Sequence, residues 1–200
     1  MRRRSRKALL LVDVFNPLDF EGAHKLAPDA LRAARNAAAL AARCRQSRWP
    51  VIYANDNFGH WRSNFADVMR TCLALGGASA RIAAQLRPSP SDYSILKPRH
   101  SAFYGTPLEF LLEDLGVASL VIAGIAADSC VLYTALDAHL RSFHLWVPRD
   151  CVAAETEDWR LRAIRQIERA AKAWVGPSAD PLQHGIAQAA RASQRRGGAS

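Results

Sequence analysis

Ala8-Leu9-Leu10-Leu11-Val12-Asp13-Val14 is an apolar, partly β-branched run too short for a helix and without polar alternation. Such a run predicts a strand covered on both faces. Two more follow the same pattern, Pro50 to Ala54 (PVIYA) and Ala118 to Gly124 (ASLVIAG). Shorter strands are expected at Ser94 to Leu96, Phe143 to Val147 and Ala173 to Val175. Helical patterns lie between them. Pro28 to Arg48 sets Leu31, Ala34, Ala38, Ala41 and Ala42 on one face and Arg32, Arg35, Arg43 and Arg45 off it, which is amphipathic spacing. One or two helices fill 64–87, and others are expected at Thr106 to Leu115, Ala127 to Arg141 and Thr156 to Ala171. Strands alternating with helices predict a three-layer α/β/α domain with a mainly parallel, roughly six-stranded sheet, Rossmann-like.

The composition suits one such domain. Half of the 200 residues are hydrophobic and 8% aromatic, enough to fill a single core. The net charge of +9 sits mostly at the ends: Arg2, Arg3, Arg4, Arg6 and Lys7 at one, Arg191, Arg195 and Arg196 at the other. Between positions 8 and 190, 19 basic residues face 18 acidic ones. A near-neutral body offers no basic binding face, so nucleic acid is not an expected partner. The domain is expected over 8–176, with 1–7 a basic tail and 177–200 a loosely held C-terminal extension. The apolar stretch behind the N-terminal arginines is interrupted at Asp13, shorter than the roughly 7–15 residues of a signal-peptide core. No run approaches the roughly 18 apolar residues of a membrane span. Cys44, Cys72, Cys130 and Cys151 are widely spaced without a C-x-x-C, which favours free thiols over disulfides or a zinc site and a cytoplasmic location.

In an open α/β sheet, ligands bind beyond the carboxyl ends of the strands. Three reactive residues stand there: Asp13 after the first strand, Lys97 after Ser94 to Leu96, and Cys130 in the first turn of the helix after Gly124. Each alone is ordinary, the Asp as a loop cap, the Lys as a solvated charge, the Cys as packing. Together they make a coherent set. Asp13 can take the thiol proton, while Lys97 and the helix N-terminus are expected to favour the thiolate. The turn Gly124-Ile125-Ala126-Ala127-Asp128-Ser129-Cys130 also puts the sulfur beside backbone N–H groups that could hold an oxyanion. With one glycine and no G-x-G-x-x-G, it does not predict dinucleotide binding.

Three segments in this order, LLLVD13VFN16, LK97PRHSAF103YGTPL and VIAG124IA126ADSC130V, resemble the isochorismatase-like cysteine hydrolases, which include nicotinamidases, N-carbamoylsarcosine amidases and ureidoacrylate amidohydrolases. The later VPRD150CVAAE155 is similar to the same family. The resemblance spans roughly residues 7–155. It implies a catalytic triad of Asp13, Lys97 and Cys130, and a cis peptide between Ile125 and Ala126 that turns the N–H groups of Ala126 and Cys130 toward the oxyanion. It also implies an acyl transfer in which Cys130 attacks an amide-type carbonyl and water activated by Asp13 releases the acid. Members that hydrolyse vinyl ethers imply an alternative in which Asp13 is the acid and no covalent step occurs. A non-catalytic binding module is the remaining alternative. A homo-oligomer, dimer or tetramer, acting on a small molecule is implied as well, and Trp61, Trp146, Trp159 and Trp174 exceed what one small core needs.

The chain departs from the family at several positions. Phe15 stands where many members have Gln, and Ala127 where many have Thr. Metal-dependent members carry Asp-x-His after the second strand, whereas this chain reads Asp56-Asn57-Phe58-Gly59-His60. No metal or other cofactor is therefore expected, and Asp56 and His60 are read as bonding within their loop. Phe15, Asn16, Phe58, Trp61, Phe103 and Tyr104 are the expected pocket lining. A lining of that kind predicts a preference for neutral, partly apolar amides over dicarboxylates, unless Arg99 or His100 enters the pocket.

Overall fold

The computed structural model describes residues 6–194, so the arginines at 2, 3, 4, 195 and 196 lie outside the described residues. Six parallel strands form one sheet: β1 (Lys7–Val12), β2 (Val51–Asp56), β3 (Tyr93–Lys97), β4 (Ser119–Ile125), β5 (His144–Trp146) and β6 (Val152–Ala153). Their order is β3-β2-β1-β4-β5, with β6 pairing the end of β4 beyond β5. The apolar run over 8–14 thus supplies the central strand of the sheet. Leu9 and Leu11 point into one core and Ala8, Leu10 and Val12 into the other, all fully buried. Burial on both faces is why the run shows no alternation.

Seven α-helices cover the two faces. Helices α1 (Ala23–Gln46), α2 (Phe65–Ala74), α3 (Gly77–Gln85) and α7 (Leu182–Gln194) pack on the Leu9 side, and α4 (Leu108–Asp114), α5 (Leu132–Leu140) and α6 (Glu157–Ala170) on the Leu10 side. The first helix begins five residues before Pro28, which sits in its second turn; the proline marks the early helix rather than its start. Thr156 caps α6 by accepting from the Trp159 N–H. The expected last strand at 173–175 is reduced to a single bridge between Trp174 and Trp146.

The loose extension expected beyond Gly176 takes a different form over residues 182–194. There the chain forms α7, which buries Leu182, Ile186 and Ala189. The approach to it is pinned as well: the Trp146 indole donates to Gly176 O at 3.0 Å, Ser178 donates twice to Asp150, and Arg43 donates to the carbonyls of Ser178 and Asp180. A stretch rich in Ala, Gln and Arg hid an apolar stripe spaced for a helix.

Two features of the sheet position the site. The chain runs from β1 outward to β3 and returns to β4 beside β1, so the crevice of an open sheet falls between β1 and β4. At that seam a Cβ on Gly124 would lie 2.0 Å from the Val12 carbonyl oxygen, and its φ is +142°. Only glycine lets β4 approach so closely, and this draws the start of the next helix toward Asp13.

Candidate active site

Asp13 leaves β1 in the left-handed region, φ 49°, a conformation that Asp tolerates better than most side chains. The turn aims its carboxylate along the rim. Oδ1 accepts from the Asp56 N–H at 2.6 Å, and Oδ2 meets Lys97 Nζ at 2.6 Å. The chain beyond it is clamped by the buried Asn55, whose amide accepts from Phe15 N at 2.9 Å and donates to Phe15 O at 2.8 Å. Lys97 closes β3 in register with Asp56 of β2 and is fully buried. Its ammonium also donates to Arg99 O at 2.9 Å, lies 3.7 Å from Asp56 Oδ2, and faces Cys130 Sγ at 3.7 Å. A buried lysine persists only with such partners.

Cys130 lies in a π-helical turn, Ala127–Val131, that precedes α5. The wider turn, closed by Val131 N–H donating to Ala126 O, replaces the first part of the single α-helix expected over 127–141. Such turns occur mostly at functional sites. The Ile125–Ala126 peptide bond before it is cis. Of the three reactive residues, Asp13 and Lys97 are buried and Cys130 is half-buried. The structure brings all three together.

Their protonation follows from burial and charge. Burial pushes the Asp13 carboxyl above the ordinary range against the opposing pull of Lys97. Burial also works against the Lys97 ammonium, but Asp13, Cys130 and Asp56 outweigh it and hold it above its usual value. The Cys130 thiol is pushed up to about 12, first by burial and then by the Asp13 carboxylate, with Lys97 opposing. This corrects the expectation of a thiolate. One ammonium is already neutralised by one carboxylate, so ionising the sulfur would add an unpaired negative charge to a buried site. The proton must therefore leave as the sulfur attacks, and the Asp13 carboxyl, held on the same ammonium as the sulfur and made more basic by burial, is placed to receive it. Iodoacetamide labelling of Cys130 is expected to be slower than that of free cysteine and to rise about tenfold per pH unit through pH 9. A plateau by about pH 8 would mean a depressed thiol and contradict this protonation state.

The expected pocket lining needs correction. Phe15 is fully buried, stacked on Tyr53 and edge-on to Phe65, because its backbone is turned inward by Asn55. Phe103 lies in the other core against Phe143, with Arg141 over its ring. Asn16 serves its own loop, accepting from Leu18 N, and its carbonyl accepts from Ser79 Oγ. Ala127 is buried in the core on the Leu10 side. Trp61 and Tyr104 are 79% and 63% exposed. Phe58 lines a cavity of about 660 Å³ between the loop after β2, α2 and the β1–α1 loop, a space that Asp13, Lys97 and Cys130 do not border. Among the described residues no group of three His, Cys, Asp or Glu side chains is arranged to hold a metal ion. Asp56 accepts from Phe58 N at 2.6 Å and faces Lys97, and His60 is exposed.

Three further residues stand at the site: Asp56 and Asn55, which the sequence did not single out as part of it, and His100, which was expected there only on a preference for anionic substrates. Asp56 gives its N–H to Asp13 and its carboxylate to Lys97; its place at a strand end, like that of Asp13, was the available signal. Asn55 is the second. His100 is the third: its Nδ1 lies 3.7 Å from Cys130 Sγ and 3.2 Å from Ser129 Oγ, and its ring stacks on Tyr133 at 5.5 Å.

Known proteins share this arrangement of elements and sequence. The model of the isochorismatase domain matches residues 7–180. An uncharacterized isochorismatase family protein of Bacillus subtilis, YaaI, is 35% identical over 165 residues, which cover 82% of this chain and 90% of that one. A maleamate amidohydrolase of Pseudomonas putida is 29% identical, covering 76% of this chain and 75% of the relative. Two further curated relatives are matched over only about half their length, 51% and 47%. Among solved structures, an N-carbamoylsarcosine amidase from Thermoplasma acidophilum superposes with a TM-score of 0.67 at 27% identity, covering 89% of this chain and 99% of that one.

Proposed function

The chain belongs to the isochorismatase family and is a hydrolase, and from that premise we propose that it cleaves a small amide or related C–N bond through a thioester on Cys130. The observation that carries this reading is the cluster itself: Lys97 Nζ stands 2.6 Å from Asp13 Oδ2 and 3.7 Å from Cys130 Sγ, bringing carboxylate and thiol to one ammonium.

In the first half-reaction Asp13 takes the Sγ proton as sulfur attacks the carbonyl carbon. Lys97 keeps the carboxylate in place and offsets the negative charge that moves toward the sulfur. The oxyanion forms at the N-terminus of the π-helical turn, where the N–H groups of Ala126 and Cys130 are proposed to hold it. The C–N bond then breaks, the Asp13 carboxyl returns its proton to the departing nitrogen, and the acyl group remains on Cys130. Water hydrolyses the thioester and the acid leaves.

The substrate's polarity follows from what surrounds the sulfur. Of the residues behind the expected apolar preference, Phe15, Phe58, Phe103, Tyr104 and Ala127, three pack in the cores and do not carry it: Phe15, Phe103 and Ala127. His100 Nδ1 and Ser129 Oγ lie 3.7 and 3.8 Å from the sulfur, which supports a small polar acyl part. The maleamate amidohydrolase and N-carbamoylsarcosine amidase relatives support it as well. The test is ammonia release from maleamate, N-carbamoylsarcosine, nicotinamide and benzamide. Turnover of the first two ahead of benzamide is expected; benzamide first would restore the apolar pocket, and no release from any would remove the amide reading.

No helix among the described residues is long and apolar enough to cross a membrane. We place the enzyme in the cytoplasm as a homo-oligomer. Trp146 is a core residue, whereas Trp61 and Trp159 are exposed and available to a second copy.

A further inference from the structure

We propose that the two half-reactions use different proton carriers: Asp13 serves the first, and His100, in place of the Asp13 that the resemblance implies for the water, serves the second, the hydrolysis of the acyl group from Cys130. This rests on the thioester reading above. The two flanks of the sulfur are unlike. On one, Asp13 and Lys97 are buried beneath it; on the other, His100 is exposed on the loop after β3, with Nδ1 3.7 Å from Sγ. Once the amine has left with the proton from Asp13, the water that replaces it arrives from the open flank.

The imidazole is held for that task from two sides. Ser129, the neighbour of the nucleophile, places its hydroxyl 3.2 Å from Nδ1, and Tyr133 of α5 stacks on the ring at 5.5 Å, 26° from parallel. The His100 imidazole takes a proton from water as its oxygen bonds to the thioester carbon. When the C–S bond breaks, the imidazolium returns that proton to Sγ across the 3.7 Å contact. Water has then added H to sulfur and OH to the acyl group, and Asp13, Lys97 and His100 are as they began. A positioned general base of this kind contributes roughly 10²–10⁴-fold.

The experiment uses p-nitrophenyl acetate, which acylates the sulfur without needing a proton for its leaving group. His100→Ala is expected to release a stoichiometric burst of p-nitrophenolate, then to turn over about 10²–10⁴-fold more slowly than the parent while acetyl-Cys130 accumulates in the intact mass. Added imidazole should restore deacylation, a rescue that a merely structural role would not allow. His100→Ala that deacylates like the parent, or that is not acylated at all, overturns the proposal and leaves the thioester reading intact, provided Cys130→Ala gives no burst. If Cys130→Ala behaves like the parent, the thioester reading fails and this proposal with it.

Discussion

Cys130→Ala is expected to lose at least about 10⁴-fold in turnover of any amide the protein hydrolyses, with unchanged circular dichroism and melting temperature. The size follows from covalent catalysis: without the sulfur there is no thioester, and what remains is the help of oxyanion donors and binding alone. The fold should not notice, because the side chain is only half-buried and makes few contacts that alanine cannot replace. The comparison with Asp13→Asn separates the two hydrolase readings. Direct protonation of a vinyl ether would leave Cys130→Ala substantially active and Asp13→Asn dead. The thioester route makes both inactive, since a thiol held near a pKa of about 12 cannot attack without its base.

Lys97→Met is expected to cost about 3–5 kcal/mol of stability at pH 8, read by urea unfolding. Lys97 is fully buried and Asp13 is 4% exposed, so removing the ammonium strands a carboxylate that water cannot reach. The sign of the pH dependence follows from the same cause. With Lys97 gone, burial alone acts on Asp13 and raises its folded pKa further above the unfolded value, so the folded state binds the proton more tightly. The stability lost by Lys97→Met is therefore partly recovered as pH falls toward about 5. Asp13→Asn combined with Lys97→Met should regain most of the loss at pH 8, because the pair is then removed rather than broken, and should stay inactive. Equal and additive losses would show that the two groups are not coupled in the folded protein.

The elements most legible in the sequence are those whose local signal and tertiary role agree. Leu9, Leu10 and Leu11 read as a two-sided strand because both cores need them, and the helix expected from Thr156 starts there because its hydroxyl accepts from the Trp159 N–H. The three reactive residues were legible because a parallel sheet gathers its strand ends at one rim, whatever the packing between. The pocket was not. Phe15 and Phe103 lie close in sequence to Asp13 and Lys97, yet Asn55 turns the first into one core and Arg141 covers the second in the other. Which way a loop side chain points depends on hydrogen bonds from distant strands, and sequence spacing carries no record of them. The protonation of Cys130 was missed for a related reason: the helix terminus and Lys97 are visible in sequence, but their effect is outweighed by burial and by Asp13, which emerge only from the packed site.

Acid-quenching the reaction during steady turnover of an amide, followed by peptide mass mapping, tests the thioester most directly. The account predicts the substrate's acyl group on the Cys130 peptide while substrate remains, its disappearance when substrate is exhausted, and no such adduct on Cys44, Cys72 or Cys151. Sustained turnover with an unmodified Cys130 peptide at every quench time, by a protein whose Cys130→Ala variant is equally active, would contradict it.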